Sequence, residues 1–315
     1  MQLPTSCIVI DIDNNEFIVQ TTSKVAIMKY QYVELFKSIE GEAKYAGTPT
    51  MYVRFTNCNF TCRGFNNPDN VDPMSPEALQ FDPKIIKTVT DIKEISIGCD
   101  SIYAWNKEFK HLWRDVDEVT LATELTDLLP VGRNRKWWID ILSLTGGEPT
   151  LRQKTIPTLL NQPQFDTLLH VLIETNCSVP LTQKFIDDMN DWIAKVPGRH
   201  VTWSNSPKLS ASGEDYNKAI VPAIALKQRE LTSYDQYFKF VCSDEDAHFR
   251  EVAQAMHDYH SAGVPHELNV YIMPVACTEA QQRVIMANVA DMCIEKGYIY
   301  CHRIHNTVYD NAIGK

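Results

Sequence analysis

Two cysteines four residues apart are the first side chains in this sequence whose spacing suggests chemistry. Cys58 and Cys62 stand at the end of a predicted strand, in the segment Cys58-Asn-Phe-Thr-Cys62. Thiolates can bind soft metal ions or iron–sulfur clusters, although small buried cysteines are also common in protein cores. A structural zinc ion normally takes four ligands, and no fourth ligand is evident beside this pair. The pair alone leaves a metal site and ordinary core packing open.

Polar groups also follow the ends of later predicted strands. Leu144-Thr-Gly-Gly-Glu-Pro149 comes directly after the second strand, and later strands end in Glu174-Thr-Asn176 and Ser204-Asn-Ser-Pro-Lys208. Gly146 and Gly147 permit a ligand to approach the backbone closely, because glycine has no side chain; a plain strand-to-helix turn is the alternative. Polar clusters at successive strand ends are hard to assign to core packing, so they indicate a ligand site.

The elements that must position these groups alternate between strands and helices. The predicted strands cover residues 50–57, 139–145, 168–175, 200–205, 236–242 and 267–273. The predicted helices cover residues 119–129, 150–161, 181–195, 245–262 and 278–296. Asp244 and Thr278 are the expected N-caps, and Gly263 and Gly297 the expected C-terminal stops. Six alternations predict an α/β fold with parallel strands, right-handed crossovers and functional groups at the carboxyl ends.

Two regions fall outside this alternation. Residues 5–30 hold two β-rich runs around the turn-forming Asp13-Asn14-Asn15, which predicts a hairpin. Residues 63–98 are rich in Asn, Asp and Pro and predict an insertion between the first strand and its helix. We therefore expect an N-terminal β-hairpin extension over residues 1–30 and one α/β domain over residues 31–315.

Composition limits the class of protein. The 315 residues are 44% apolar and 22% charged, enough for a sizeable core, and the net charge of −10 disfavours non-specific binding to nucleic acid or anionic membranes. No apolar run is long enough to span a bilayer, and the N-terminus lacks a secretion signal pattern, so we expect a cytoplasmic protein with reduced thiols. The cysteines outside the strand-end context are predicted to be structural: Cys7, Cys177, Cys242, Cys277, Cys293 and Cys301.

The chain resembles the 7-carboxy-7-deazaguanine synthases, which are radical S-adenosylmethionine (SAM) enzymes of 7-deazapurine (queuosine-type) biosynthesis. The similarity runs from Phe36-Lys-Ser-Ile-Glu-Gly-Glu42 to Arg303-Ile-His305, nearly the whole chain outside the N-terminal hairpin. The matching segments between these limits are Gly47-Thr-Pro49, Arg54, Thr145–Pro149, Glu174–Asn176 and Ser206–Lys208. The combination is specific, whereas each motif alone is not. It implies a partial (β/α)6 barrel of the radical SAM type and a homodimer.

The resemblance also implies a [4Fe–4S] cluster held by three cysteines. The usual spacing is C-x3-C-x2-C, but the third position here is Phe65, which cannot ligate iron. The segment Cys99-Asp100-Ser101-Ile-Tyr103-Ala-Trp105 has the acidic, hydroxyl and aromatic residues that follow the family's third cysteine. We therefore interpret the motif as C-x3-C-x36-C, formed by Cys58, Cys62 and Cys99, with the insertion looping out. The alternative is that Cys99 is merely buried and the cluster is lost.

Three thiolates leave one iron free for SAM, whose reductive cleavage gives a 5′-deoxyadenosyl radical in this superfamily. No side chain is therefore expected to be catalytic in its own right. The resemblance assigns SAM binding to Asp100, Gly146, Gly147, Glu148, Ser206, Lys208, Met273 and Pro274. It also implies Mg²⁺ bound by the hydroxyl of Ser101, where the family normally has Thr, and an electron donor such as flavodoxin or ferredoxin.

The substrate that the resemblance implies is 6-carboxy-5,6,7,8-tetrahydropterin, which loses ammonia and becomes 7-carboxy-7-deazaguanine. The expected substrate contacts are Ile39, Glu40, Gly41, Glu42, Arg54, Thr145, Glu174 and His305. Arg54 lies within the apolar run Tyr52-Val-Arg-Phe55, and its guanidinium suits a carboxylate. Glu40 replaces the usual Gln, so an acceptor-only carboxylate either meets N–H groups of the pterin or signals a different substrate. For His305, the alternative to a substrate contact is a purely structural role.

Two other function classes remain open at this point. One is a radical SAM activase that makes a glycyl radical in another protein. That function does not explain the pocket formed by Glu40 and Arg54. The other is a non-enzymatic binding or regulatory relative, which the insertion and Glu40 favour. Iron content and SAM cleavage separate this last class from an enzyme, since the fold alone does not decide function.

Overall fold

The computed structural model describes residues 7–11, 16–20, 29–93, 95–276, 278–310 and 312–314. The strands are β1 (Cys7–Asp11), β2 (Glu16–Gln20), β3 (Tyr30–Ile39), β4 (Pro49–Phe55), β5 (Arg114–Val116), β6 (Ile141–Gly146), β7 (His170–Thr175), β8 (His200–Asn205), β9 (Tyr234–Cys242), β10 (Val270–Pro274) and β11 (Ile299–Tyr300). The α-helices are α1 (Pro76–Leu79), α2 (Glu118–Asp127), α3 (Ile156–Leu160), α4 (Gln183–Lys195), α5 (Tyr216–Ala219), α6 (Pro222–Gln228), α7 (Asp246–Ser261), α8 (Glu279–Lys296) and α9 (Ile304–Tyr309). Within these ranges, no helix combines the length and the apolar character needed to cross a membrane.

One mixed sheet of nine strands forms the body of the molecule, in the order β11-β10-β9-β8-β7-β6-β4-β3-β5. Strands β4 and β6 to β11 run parallel, whereas β3 pairs antiparallel with both β4 and β5. The six predicted strands correspond to β4 and β6 to β10, so the predicted α/β class is confirmed. The two ends of this strand order remain apart, so the barrel is partial and not closed.

The alternation of side chains along the strands separates the core from the site. Val53, Leu144, Ile173 and Trp203 lie opposite one another across β4, β6, β7 and β8, and all four are fully buried in the main hydrophobic core. Successive residues of a strand point to opposite faces of the sheet. The residues that follow these four therefore face the inside of the partial barrel, and three of them, Arg54, Thr145 and Glu174, belong to the predicted site.

Most predicted helices are present, with differences at their ends. The predicted helix over 150–161 is instead a 3-10 turn over Pro149–Arg152 followed by the short α3. Thr278 caps α8 as predicted and Gly297 ends it, but the N-cap of α7 is Glu245. The prediction for Asp244 is wrong because its carboxylate accepts a hydrogen bond from Asn288 on α8, 2.7 Å away. The sequence analysis did not predict β3, β5, β11 or the shortest helices.

The two regions outside the alternation differ: β1 and β2 form a separate two-stranded sheet, whereas the insertion packs against the main sheet. Strands β1 and β2 pair antiparallel, as a hairpin requires, whereas the predicted turn at residues 13–15 lies outside the described residues. Within residues 63–98, Ile86, Ile92 and Ile95 are buried in a second hydrophobic cluster with Val33 of β3. The insertion therefore packs against the sheet instead of looping freely. The domain boundaries at residues 30 and 31 remain a prediction.

Candidate functional site

One cavity of about 540 Å³ opens among the carboxyl ends of the parallel strands and collects the predicted site residues. The residues of the prediction that line it are Ile39, Glu40, Gly41, Glu42, Arg54, Cys58, Cys62, Cys99, Asp100, Ser101, Thr145, Gly146, Gly147, Glu174, Ser206, Lys208, Met273, Pro274 and His305. Glu148 is the exception. Residues 65, 66, 90, 92 and 95 of the insertion and residues 312–314 near the end of the chain complete the wall.

The cysteine end of the cavity consists of Cys58, Cys62, Cys99, Phe60 and Phe65, which pack together as a small apolar cluster. Burial raises the pKa of the Cys58 thiol to about 12, that of Cys99 to about 11, and that of Cys62 well above its ordinary value. The thiols are therefore neutral until a metal takes the place of their protons. The split motif of the prediction thus brings all three cysteines to one wall.

The three thiols suit a cluster better than a single ion. Among the described residues, no group of three or more His, Cys, Asp or Glu side chains is arranged to hold one metal ion. In an iron–sulfur cluster each cysteine binds a different iron atom, so its ligands stand further apart than the ligands of one ion. The donor set, all thiol and surrounded by apolar side chains, fits such a cluster. A zinc ion at this position does not fit the arrangement.

Hydrogen bonds from a distant loop order the cysteine segment. The carboxylate of Glu214 accepts from the backbone N–H groups of Thr61 and Cys62, both at 2.7 Å. Lys208 lies 6.0 Å from the Phe65 ring, measured from Nζ to the ring centroid, and it opposes the effect of burial on the pKa of all three thiols. Both residues come from the segment after β8.

The two glycines of the Thr-Gly-Gly-Glu-Pro segment pack the end of β6 against the cysteine segment. A Cβ on Gly147 would lie 2.0 Å from the carbonyl oxygen of Asn57 and 3.1 Å from the Cβ of Cys58. A Cβ on Gly146, whose φ is +125°, would lie 2.2 Å from the carbonyl oxygen of Phe55. Both glycines line the cavity, but close packing of the protein against itself already requires them.

Glu148 holds two strand ends together from behind the cavity wall. It is fully buried, and its carboxylate accepts hydrogen bonds from Thr150 N (3.0 Å), Thr150 Oγ1 (2.5 Å), Thr175 Oγ1 (2.8 Å) and Asn176 N (2.8 Å). These four bonds occupy both carboxylate oxygens. The structure therefore does not bring this carboxylate to the cavity, unlike the SAM contact expected from the sequence, and its place is that of a positioning residue.

The charged end of the cavity consists of Glu40, Glu42, Glu174, Lys239 and Arg303. The Nζ of Lys239 contacts Glu42 Oε2 and lies 3.9 Å from Glu174 Oε2, while the Nε of Arg303 lies 3.1 Å from Glu42 Oε1. Burial opposes ionisation of Glu42, but Lys239 and Arg303 outweigh it and lower the pKa of Glu42. Glu42 is therefore a carboxylate held between two cations.

Glu40 differs from its neighbour in its partners. Its carboxyl group accepts a hydrogen bond from the Tyr52 hydroxyl at 3.0 Å and from the backbone N–H of Glu42 at 3.3 Å. Only 4% of Glu40 is exposed. Burial, together with the nearby charge of Glu174, raises the pKa of Glu40 to about 8. This shift favours the protonated form of Glu40 near neutral pH.

Arg54 already has a carboxylate partner inside the protein. Its Nε donates to Glu34 Oε2 at 2.9 Å, and its Nη1 donates to the Ser101 hydroxyl at 2.7 Å. The rings of Phe36 and Tyr103 flank the guanidinium, each with its centroid 5.7 Å from Cζ. The second oxygen of Glu34 is buried and has no hydrogen-bond partner among the described residues. The guanidinium keeps further N–H donors for a ligand.

Ser101 links the two ends of the cavity. Its hydroxyl accepts from Arg54 and donates to Asp100 Oδ1 at 3.2 Å, and Asp100 Oδ2 accepts from Arg303 at 3.2 Å. Mg²⁺ prefers oxygen ligands such as these, but a cation at the hydroxyl requires the guanidinium of Arg54 to move away. The oxygen donors therefore fit Mg²⁺ only after that rearrangement.

His305 approaches the cavity because a glycine faces it. A Cβ on Gly41 would lie 1.8 Å from Nδ1 of His305, and the backbone N–H of Ile304 donates to the Gly41 carbonyl at 2.9 Å. Burial, reinforced by Arg303, lowers the pKa of His305 to about 4. A neutral imidazole thus completes the charged end.

The sequence analysis missed several residues that support the site. Lys239 and Arg303 neutralise Glu42, while Glu34 and Tyr103 hold Arg54, since the Tyr103 hydroxyl also donates to Glu34 Oε2 at 3.2 Å. Lys239 could have been found, because it stands within the apolar run Tyr237-Phe-Lys-Phe-Val-Cys242. A charge within an apolar strand is the signal that selected Arg54.

Comparison with curated proteins finds similarity over most of the chain. A 7-carboxy-7-deazaguanine synthase from Methanopyrus kandleri is 26% identical over 78% of this chain and 81% of its own length. Proteins of the same name from Halobacterium salinarum and Clostridium acetobutylicum are 24% and 25% identical, over 89% and 79% of this chain and 90% and 82% of their own lengths. The chain is therefore a relative of these synthases.

Two further comparisons add little to that result. No protein-family model matches the chain. A crystal structure of QueE from Escherichia coli aligns with 88% of this chain and 95% of its own, at 17% identity and a TM-score of 0.49.

Proposed function

We propose that this chain is a radical SAM enzyme that converts 6-carboxy-5,6,7,8-tetrahydropterin to 7-carboxy-7-deazaguanine with release of ammonia. Similarity to several 7-carboxy-7-deazaguanine synthases over most of the chain supports this reaction. The observation that carries the proposal is a single cavity with three thiols at one end and fixed charges at the other. The thiols are suited to hold an iron–sulfur cluster, and the fixed charges are suited to bind a polar substrate.

Cys58, Cys62 and Cys99 hold the [4Fe–4S] cluster in this proposal. When bound, the cluster and SAM supply the electron and the carbon radical that remove a hydrogen atom from the substrate. Ser206 and Lys208 bind polar groups of SAM, and Lys208 Nζ is 3.2 Å from Ser206 Oγ. The aromatic and aliphatic side chains around the thiols exclude water from the cluster.

The charged end binds the pterin. The remaining N–H donors of Arg54 bind the substrate carboxylate, and Glu34 fixes the orientation of the guanidinium from the opposite side. Glu174 and Glu40 meet the polar edge of the ring, with Thr145 at the end of the neighbouring strand. The Ser101 hydroxyl would hold Mg²⁺ in an arrangement where Arg54 no longer hydrogen bonds it. The ion pairs of Lys239 and Arg303 with Glu42 keep these three side chains in place before substrate arrives.

The partners follow from the reaction. Reductive cleavage of SAM needs an electron donor, for which flavodoxin or ferredoxin is proposed. A homodimer and a cytoplasmic location are proposed from the resemblance to the family and from nine cysteines in an acidic chain, which suit a reducing compartment.

The test is anaerobic reconstitution of the protein with iron and sulfide, followed by chromatography of the products from SAM and carboxytetrahydropterin. We expect an iron–sulfur absorbance, 5′-deoxyadenosine and 7-carboxy-7-deazaguanine. SAM cleavage without the deazaguanine would favour another radical SAM reaction, such as glycyl-radical activation. A protein that binds neither iron nor SAM would be a non-enzymatic relative.

A further inference from the structure

The charged end holds more carboxyl groups than its cations can pair. Glu40, Glu42 and Glu174 share this end with Lys239 and Arg303. Both cations contact Glu42, and Lys239 is also within 3.9 Å of Glu174. Arg303 is further engaged by Asp100, at 3.2 Å. Arg54 also acts on Asp100 but is itself paired with Glu34. Three cations therefore face five acidic groups, and ionisation of all five would leave an unbalanced negative charge.

Glu40 is the member of this group that forms no ion pair with Lys239 or Arg303 within 4.0 Å. It accepts from the Tyr52 hydroxyl and from a backbone N–H, whereas Lys239 pairs with the two other glutamates. The ionisable groups that face Glu40 are Tyr52 of β4, Glu174 of β7, Tyr237 and Lys239 of β9, and Glu42 of its own segment. Burial and the charge of Glu174 outweigh the more distant Lys239, so the protonated form of Glu40 is favoured.

We propose that Glu40 works as a neutral carboxylic acid, which offers the substrate one O–H donor and one C=O acceptor. This inference rests on the proposed function and names the residue that sets polar recognition in that site. A side-chain amide presents the same pair of groups, so Glu40→Gln mimics the protonated form of Glu40 at every pH.

The first test needs no substrate. A carboxyl group whose pKa is raised on folding adds stability that is fully present below its unfolded pKa and is lost as the pH rises through its folded pKa. Thermal unfolding of the reconstituted protein and of Glu40→Gln is measured from pH 5 to 9. The melting temperature of wild type should fall relative to that of Glu40→Gln up to pH 8 or so, and the difference should then level off.

Glu295→Gln, at an exposed position on α8, controls for loss of a glutamate charge from the surface. A difference between wild type and Glu40→Gln that is constant with pH would overturn the inference. Because no substrate is present, this result holds whether or not the protein makes deazaguanine.

The second test measures recognition with 6-carboxypterin, the oxidised form of the proposed substrate, as the probe. Its affinity for wild type and for Glu40→Gln is compared from pH 7 to 9.5, and the ratio cancels titration of the probe and of other groups. At pH 9.5 a group with a pKa of about 8 is protonated in about one molecule in thirty. We expect wild-type affinity to fall about 30-fold relative to Glu40→Gln.

Glu40→Ala should bind the probe weakly at every pH, because it provides neither donor nor acceptor. A flat ratio between wild type and Glu40→Gln, in an enzyme that forms deazaguanine, would overturn the inference and leave the proposed function intact. Absence of deazaguanine from every variant, with a pH-dependent ratio, would overturn the function and not the protonation of Glu40.

Discussion

The cysteine end and the charged end of the cavity differ in the chemistry of the side chains that form them. At the cysteine end, thiols lie among apolar rings, and burial keeps their protons in place. At the charged end, carboxylates and cations are already joined by ion pairs. The first arrangement presents neutral thiols to a metal centre, whereas the second is already cross-linked by ion pairs within the protein.

This difference predicts how each end responds to mutation. Loss of a thiol removes a bond to the cofactor that no neighbour can replace, so chemistry should stop. Loss of one charge leaves its partners in place but unbalanced, and breaking a buried pair costs more than the pair itself contributes. The charged end should therefore lose affinity in graded steps while the cofactor remains bound.

The largest effect is expected at the cysteine end. Cys58→Ala, Cys62→Ala and Cys99→Ala should each abolish the iron–sulfur absorbance and the cleavage of SAM, because each thiolate binds one iron. Cys242→Ala and Cys293→Ala are matched controls, since both cysteines are buried in the main core away from the cavity, and they should keep the absorbance. An intact, SAM-cleaving cluster in Cys99→Ala would refute the split motif.

The next effect is expected at Arg54. Arg54→Ala should bind the pterin about 30-fold to several thousand-fold more weakly, the range for loss of a buried charge-assisted contact of ~2–5 kcal/mol. It should keep the full cluster and slowly cleave SAM without forming product. The measurement counts 5′-deoxyadenosine and deazaguanine side by side.

Two variants separate substrate binding at Arg54 from its internal pairing. Arg54→Lys should recover little, because a point charge cannot grip a carboxylate at two atoms. Glu34→Gln keeps the guanidinium but loosens its orientation, so its defect should be smaller than that of Arg54→Ala. Wild-type product formation by Arg54→Ala would show that the substrate carboxylate binds elsewhere.

Lys239 should have an intermediate effect on affinity. Lys239→Gln leaves Glu42 paired with Arg303 alone, so the pKa of Glu42 should rise. Loss of a hydrogen bond to a charged group costs about 1.5–3 kcal/mol, equivalent to roughly 10- to 150-fold, and pterin affinity should fall by no more than this because Lys239 acts through Glu42. Because a raised pKa means protonation at higher pH, the acidic limb of the activity profile should move toward neutrality. An unmoved acidic limb would show that Lys239 does not hold Glu42 ionised.

Lys208→Gln is the matched comparison for Lys239→Gln, because it removes the lysine beside the thiols. It should weaken SAM binding and leave pterin affinity nearly as in wild type. Equal effects of the two lysines on pterin affinity would contradict the separation of the two ends.

The sequence predicts the cysteine end well and the charged end only in part. Cys99 was selected across 36 intervening residues because its following residues carry chemistry of their own. The partner of Arg54 could not be predicted from the sequence, because Glu34 lies opposite Arg54 only through the antiparallel pairing of β3 with β4. The sequence analysis did not predict β3 as a strand, so it had no register from which to derive this pair.

Burial explains the other gaps. From the sequence alone, Glu40 is expected to be an acceptor-only carboxylate. Its protonation state depends on which cations pair with the neighbouring carboxylates in the folded protein. Glu148 has the sequence context of a ligand contact, yet hydrogen bonds across two strand ends turn its carboxylate inward. Local pattern identifies which residues gather at a strand end, whereas the direction of each side chain depends on contacts made far along the chain.

The smallest effect is expected at Ser101, where the two ends meet. Ser101→Ala should keep the cluster, lower turnover about 2- to 12-fold, a cost of ~0.5–1.5 kcal/mol that stays small because Arg54 keeps its ion pair with Glu34, and weaken the dependence on Mg²⁺. Ser101→Thr should be nearly silent because it keeps the hydroxyl. The hydroxyl holds Arg54 in this structure, so a Mg²⁺ titration must accompany the turnover measurement. Mg²⁺ dependence equal to that of wild type, together with weaker pterin binding, would assign this hydroxyl to positioning Arg54 and remove it from the metal site.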